Sequence, residues 1–310
     1  MFAPDESQNF KDGFMFKTGK ACTTVNVNWL EEEKQMWIKC DRYFDDFDII
    51  HGHNWMGFEY ASKVRNNNIK VCHTMHGHLN YDWWGKPAPF KLNLIAISCF
   101  MKQMFDTGYN GQAPKIPSEV AYNGIDLDLY QYKKDKGDRL MFLGRIDPIK
   151  APHAAIEVAN KSGHGIDIVG GTSFVVDLKY VEDIKKKCMQ GNTSFIGEVD
   201  HQTKLKYLQN AKALIIPSHF GEPFGLIACE AMAVGCIPIA LNDGALSEII
   251  ENGKSGFICN NLDEMVDAVK NLDKIDRKEC VKRAEMFSKE RMAERYEFLY
   301  RDIVENGIEW

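Results

Sequence analysis

The chain contains no run of about 18 apolar residues, the least that a membrane-spanning helix needs. Its nearest approach, Leu226 to Leu241, is broken by Glu230 and Pro238. It has no basic excess. The 38 Lys and Arg stand against 44 Asp and Glu, which leaves a polyanion such as nucleic acid little electrostatic footing. Paired cysteines are also lacking. The nine present are odd in number and widely spaced without a Cys-x-x-Cys, and most sit among apolar residues, a pattern of buried thiols in a reducing compartment. Met1-Phe2-Ala3-Pro4-Asp5-Glu6-Ser7 has neither the basic start nor the apolar middle of a signal peptide. These absences lead to the expectation of a cytoplasmic protein with no nucleic-acid partner. There is no solenoid-period repeat.

What is present alternates strongly. Short β-branched runs fall at Asp48–His51, Lys70–Thr74, Leu94–Ser98, Glu119–Tyr122, Leu140–Leu143, Ile166–Val169, Ser194–Ile196, Ala213–Pro217, Ile237–Leu241 and Gly256–Cys259. Most are continuously apolar, as strands covered on both faces are. Helical patterns separate them, at Met56–Asn66, His153–Lys161, Leu178–Met189, Thr203–Asn210 and Leu262–Leu272. Strand and helix in alternation build right-handed βαβ units, and a single apolar core seldom serves more than roughly 250 residues. The 310 residues therefore read as α/β, two Rossmann-like doubly wound domains facing a cleft. The charged run Tyr132-Lys133-Lys134-Asp135-Lys136-Gly137-Asp138 sets the boundary. The domains are 1–132 on the acceptor side, 133–287 on the nucleotide side, and a helix over 288–310 crossing back to the first. That helix carries Met292, Tyr296, Leu299 and Ile303 at helical spacing.

The most informative stretch is Ser218-His219-Phe220-Gly221-Glu222-Pro223-Phe224-Gly225-Leu226-Ile227-Ala228-Cys229-Glu230-Ala231-Met232-Ala233-Val234-Gly235. Its glycines bracket a short helix whose first amides, at Phe224, Gly225 and Leu226, form a ready anion site. Glu222 lies in the turn before that helix and Glu230 inside it. Eight helical residues rise about 12 Å, roughly the distance from a hexose to a ribose across a diphosphate. Among Ile227, Ala228, Cys229, Ala231 and Met232 an unpaired carboxylate at Glu230 would cost several kcal/mol. Ribose hydroxyls would satisfy it, as would a neighbouring lysine. Farther back, Arg145 ends a strand and Lys150 follows past a proline turn. Two fixed cations there suit a diphosphate, and would stabilise a departing nucleotide as a divalent ion does elsewhere.

The Glu-x7-Glu element of Glu222 and Glu230 resembles that of the family-4 retaining glycosyltransferases of GT-B fold. Leu143-Gly144-Arg145-Ile146-Asp147-Pro148-Ile149-Lys150 resembles that family's phosphate-binding segment, except that Ala151 follows where glycine is usual. Tyr122-Asn123-Gly124-Ile125-Asp126 is similar to its junction turn. Asp167-Ile168-Val169-Gly170-Gly171, Phe195-Ile196-Gly197-Glu198-Val199 and the segment from Glu248 to Gly256 fill the remaining slots in order. The resemblance implies a hexosyltransferase that takes a sugar from a nucleotide-diphosphate donor and passes it to a hydroxyl of a glycan, lipid-linked or small-molecule acceptor. It further implies retention of configuration without cofactor or metal. It assigns Arg145 and Lys150 to the pyrophosphate, Glu222 and the Phe224–Leu226 amides to the sugar, and Glu230 to the ribose. Gly144, Gly170 and Val199 would line the donor, and His76 would touch its sugar.

Two features pull elsewhere. His51-Gly52-His53 follows a strand as the metal-binding pair of amidohydrolases does, so a metal-dependent hydrolase using His51 and His53 is the rival reading. It requires one (β/α)8 barrel with further ligands at later strand ends. Asp46–Asp48 and Asp126–Asp128 read as turn caps rather than metal ligands. The family's usual opening strand, glycine loop and helix are not found before Met1-Phe2. That motivates a second alternative, a non-catalytic nucleotide-sugar-binding subunit completed by a partner chain. The aromatic loop Tyr81 to Lys91 suits sugar stacking, or peripheral contact with the inner membrane face through the N-terminal domain.

Overall fold

The computed structural model describes residues 2–3, 16–17, 28–53, 70–78, 93–111, 115–172, 175, 177–308 and 310. The predicted helix Met56–Asn66, the aromatic loop and most of the opening segment lie outside the described residues. The chain forms two compact units. One comprises Met1–Ala121 with Glu294–Trp310, the other Tyr122–Ala293. The division falls before the Tyr122–Asp126 turn, ahead of the charged run at Tyr132. The C-terminal helix Lys289–Val304 starts in the second unit and continues in the first.

In the first unit β1 (Phe2–Ala3) pairs with β2 (Phe16–Lys17). A four-stranded parallel sheet holds β3 (Ile49–Gly52), β4 (Lys70–Met75), β5 (Asn93–Ala96) and β6 (Ser118–Val120), in that spatial order. Each later strand is added to the same side. The β5 residues are all buried, as continuous apolar runs in parallel sheets require. Ser98 caps the helix Cys99–Asp106 by accepting from the Met101 amide, and that helix buries Met101 and Phe105. From the C-terminal helix Tyr296, Leu299 and Ile303 are buried, and Arg295 donates to Val120 O and to the Glu119 carboxylate, each at 2.8 Å.

The second unit carries a six-stranded parallel sheet. Its strands are β7 (Leu140–Leu143), β8 (Ile166–Val169), β9 (Thr193–Gly197), β10 (Ala213–Ile216), β11 (Ile237–Leu241) and β12 (Phe257–Cys259). Their spatial order is β12-β11-β10-β7-β8-β9. The chain thus winds outward from β7 through β8 to β9, then returns to β10 and winds the other way. In such sheets ligands bind beyond the carboxyl ends of the two strands where the order reverses. Those strands are β7 and β10. Flanking helices are fixed by side-chain caps, with Asp177, Asp200, Asn261 and Asp276 each accepting from a first-turn amide.

Every predicted strand is present within a residue or two, and the fold class is α/β with parallel sheets; the six-stranded sheet is doubly wound, whereas the described four-stranded sheet grows in one direction. The helices Trp29–Cys40, Cys99–Asp106 and Arg277–Ala284 were not anticipated. In the first, Glu31, Glu32 and Glu33 interrupt the apolar spacing between Trp29-Leu30 and Met36-Trp37; Trp37 and Cys40 nevertheless bury it against Phe44. Among the described residues there is no (β/α)8 barrel of the kind the hydrolase reading requires, because the four- and six-stranded sheets are separate and open.

Candidate functional site

The loop leaving β7 and the loop leaving β10 meet at the reversal point. After β7 the backbone turns at Gly144, and a short 3-10 turn spans Pro148–Lys150, with the Asp147 carboxylate accepting from the Ile149 amide at 3.1 Å. Ala151 follows in the left-handed conformation (φ +53°), which explains why glycine suits this position. The turn aims Lys150 across to the other loop. Its Nζ donates to Glu222 Oε2 at 2.7 Å and lies 4.2 Å above the Phe220 ring. Both side chains of this ion pair are largely buried, at 21% and 13% exposure, so the charges attract through a less polar medium than water.

Arg145 behaves differently. It is exposed, and its guanidinium makes no hydrogen bond or ion pair among the described residues. No described residue of the second unit neutralises it, which leaves a fork of donors available for an anion.

The Glu222 loop is held by a residue that the motifs did not reveal. Asp243, in the turn after β11, accepts from three successive amides with one oxygen: Phe220 at 3.0 Å, Gly221 at 2.8 Å and Glu222 at 3.2 Å. Three amides converging on one carboxylate oxygen make an anion nest. Ala245 N donates back to Glu222 O at 2.8 Å. Between them Gly244 has φ +60°, and a Cβ there would fall 2.3 Å from the Glu222 backbone, so only glycine fits. The signal in the sequence was Asn242-Asp243-Gly244 directly after a strand, a turn signature that received no role.

The helix Leu226–Ala233 begins at Gly225 (φ +104°) with no side-chain cap, so its first amides are not satisfied by a cap. Only residues from Leu226 onward are helical. The predicted helical rise between Glu222 and Glu230 therefore does not apply, because the left-handed Gly225 ends the loop and restarts the chain. Phe224 is buried against Tyr122 and Phe287, at 6.2 and 5.8 Å between ring centres. Its side chain is a packing anchor, and only its amide remains for a ligand.

Glu230 already has partners. Oε1 accepts from Lys204 Nζ at 2.7 Å and Tyr130 OH at 2.9 Å. Oε2 is buried and has no hydrogen-bond partner among the described residues, an arrangement that costs of order 1–3 kcal/mol if it persists. Gly144 and Gly170 form a close backbone crossing at the ends of β7 and β8, where a Cβ on Gly170 would lie 1.7 Å from Gly144 O. Val199 is half-buried between β9 and the Asp200 cap of the helix His201–Asn210.

In the first unit, strand ends of β3 and β4 gather histidines with tyrosines of the C-terminal helix. His51 bonds Tyr300 OH through Nδ1 and Thr74 Oγ1 through Nε2, the latter at 2.8 Å, and Thr74 Oγ1 meets Tyr296 OH at 3.1 Å. His53 Nδ1 and His76 Nε2 are 3.0 Å apart with stacked rings. Burial first, then the neighbouring imidazoles, pushes His51 down to about 2 and His53 to about 4; the fully buried His73 falls to about 3 for the same reasons. His76 is lowered by burial. With both nitrogens of His51 engaged, the pair His51 and His53 is a hydrogen-bonded network. Among the described residues no three His, Cys, Asp or Glu side chains are grouped to hold a metal ion. No helix there is long and apolar enough to cross a membrane.

The family model for glycosyl transferases group 1 matches residues 130–291, and that for glycosyltransferase family 4 matches residues 29–129. The chain belongs to this family of glycosyl transferases. It is 27% identical over 239 residues to a glycogen synthase of Mycobacterium tuberculosis, covering 68% of this chain and 56% of the relative. It is also 27% identical to a D-inositol 3-phosphate glycosyltransferase of Frankia alni, covering 68% and 61%. The chain thus spans well under two thirds of the length of these relatives. Its fold is shared by Anabaena HepE, solved in complex with UDP and glucose, at a TM-score of 0.71 and 16% identity over 92% of this chain and 85% of that one. The fold class is the expected GT-B.

Proposed function

We propose that the protein is a retaining glycosyltransferase, binding a nucleotide-diphosphate sugar at the strand-order reversal of the second unit and passing the sugar to a hydroxyl acceptor. One observation supports this most directly. At the reversal point an exposed Arg145, with no partner among the described residues, lies one short turn from Lys150, whose ammonium reaches the Glu222 loop and lies over the Phe220 ring. Arg145 would take the diphosphate with its planar fork, and Lys150 would exchange part of its contact with Glu222 for phosphate oxygens. Glu222 and the uncapped amides at the start of the helix Leu226–Ala233 would receive sugar hydroxyls. The orphan Oε2 of Glu230 would accept from the ribose.

In this reading two cations offset the charge that develops on the departing nucleotide, the role a metal ion fills in other transferases. The leaving phosphate takes the proton of the acceptor hydroxyl as the new glycosidic bond forms on the face it vacates. The acceptor is a glycan, a lipid-linked sugar or a small molecule. His76 belongs to the first unit and enters as a sugar contact on the family resemblance alone.

The test is turnover. The protein is incubated with UDP-, GDP- and ADP-glucose and with GDP-mannose, with and without EDTA, and release of nucleoside diphosphate is followed together with the anomeric configuration of any product by NMR. Release that survives EDTA and yields the donor's own anomer is expected. Inversion, or release abolished by EDTA and restored by a divalent ion, contradicts the corresponding part of the reading.

A further inference from the structure

We infer that Lys204 and Tyr130 are positioning residues for Glu230, and that this pair makes the second unit select ribonucleotides over deoxyribonucleotides. The inference rests on the reading that Glu230 receives the ribose. The two side chains come from different places, Tyr130 from the segment ahead of the charged run and Lys204 from the helix His201–Asn210, yet both donate to the same oxygen, Oε1.

The consequence is geometric. A glutamate has three rotatable bonds, and a free one would sample several rotamers at an appreciable entropic cost on fixing. Two donors on Oε1, one an ammonium and one a phenol, hold the carboxylate plane. They leave Oε2 with no partner among the described residues. Lys204 and Glu230 are exposed at only 21% and 13%, so the lysine also offsets the charge of a largely buried carboxylate. Tyr130 is itself fixed: it is buried, and the His201 ring stands edge-on to it at 5.8 Å. Burial, reinforced by the Glu230 charge, holds the Tyr130 phenol above its ordinary value, so it acts as a donor and not as an anion. An acceptor prepared in this way discriminates by what it lacks. A nucleoside with a hydroxyl opposite Oε2 completes its hydrogen bonding, whereas one without leaves the oxygen unpaired.

The test is a set of calorimetric titrations. UDP, GDP and ADP are titrated first, and the tightest binder is then compared with its 2′-deoxy and 3′-deoxy counterparts. On wild type, at least one deoxy counterpart should bind about tenfold or more weakly. In Lys204→Ala the ribonucleotide should weaken while that counterpart changes little, so the ratio collapses; Tyr130→Phe should act in the same direction, less strongly. Lys204→Arg should recover most of the ratio. Thermal melts of each variant establish that it is folded. Equal weakening of both nucleotides in Lys204→Ala, with the ratio intact, would overturn the inference. Glu230→Ala, which removes both acceptor oxygens, separates the two levels. If it keeps the ratio, the ribose assignment itself fails; if it loses the ratio while Lys204→Ala and Tyr130→Phe keep it, only the positioning role fails. Absence of binding by any of the three nucleotides removes both.

Discussion

The two units each gather polar side chains at the carboxyl ends of parallel strands, but they do so in opposite electrical styles. At the reversal point of the second unit the groups are ions: Lys150 on Glu222, Asp243 in a nest of amides, and Arg145 with no partner among the described residues. At the strand ends of the first unit they are neutral. The imidazoles of His51, His53 and His73 are driven below their ordinary range by burial and by neighbouring imidazoles; His51 bonds a phenol and a threonine, and His53 meets His76. A cluster with a spare cation invites an anion. A cluster of neutral, mutually packed side chains gives structure, and little net attraction for charge.

That contrast can be broken most severely through the second unit's backbone. Gly170→Ala would drive a methyl into Gly144 O, a contact that no rotamer relieves. The expected loss is about 3 kcal/mol or more, in the range of backbone strain at a crowded site. It should appear as a large drop in the melting temperature, with nucleotide binding lost. Retention of wild-type stability would mean that the Gly144 and Gly170 backbones at the ends of β7 and β8 separate enough to admit a methyl.

Asp243→Ala comes next. Three amides lose their common acceptor, and the Glu222 loop loosens; the expected cost is of order 1–3 kcal/mol in stability and at least about tenfold in donor affinity. Asp243→Asn should recover part of both, since an amide oxygen can still accept. Calorimetry on the two variants checks this.

Acidification probes the other side of the comparison. The imidazoles of His51, His53 and His73 stay neutral when folded, whereas in the unfolded chain they take up protons below about pH 6.5. A depressed folded value means stability that is complete above about 6.5 and declines as the pH falls toward about 4. For the buried His73 the slope is up to about 1.4 kcal/mol per pH unit. Hydrogen exchange should therefore accelerate at pH 5 in Lys70–Met75 before Ala213–Ile216. Simultaneous loss in both, or earlier loss in the second, contradicts the assignment.

The smallest effect is at Ala151. Glycine there would remove the left-handed strain but also lose a buried methyl and gain chain entropy on unfolding. The three terms are each about 1 kcal/mol and partly cancel, so Ala151→Gly should shift stability by less than about 1 kcal/mol. Thermal melts decide it.

The sheets were legible because a parallel strand buried on both faces writes a continuous apolar run, as in Leu140–Leu143 and Ala213–Ile216. The local partners around a helix start, Glu222, Gly225 and Leu226, were legible for the same reason: their relation is a short spacing. Asp243 was not, because it acts on amides some twenty residues earlier, and that relation exists only after β10 and β11 have paired. Lys204 and Tyr130 were hidden likewise; the sequence reading allowed that Glu230 could find a lysine but could not say which. The tyrosines at this cluster come from the end of the chain; Tyr296, on Thr74, carried only a helical spacing, and Tyr300, on His51, carried no signal. Spacing reveals what one element does, and tertiary pairing decides what two elements hold between them.

The most direct measurement concerns Arg145. It has no side-chain partner among the described residues, so Arg145→Ala should leave the melting temperature of the protein alone within the small range of surface substitutions, about 0.5 kcal/mol, while weakening UDP, GDP or ADP binding by at least about tenfold. Titration of wild type and variant with the three nucleotides reads this directly. Undiminished affinity in Arg145→Ala would contradict the claim that the reversal point of the second unit is a diphosphate site.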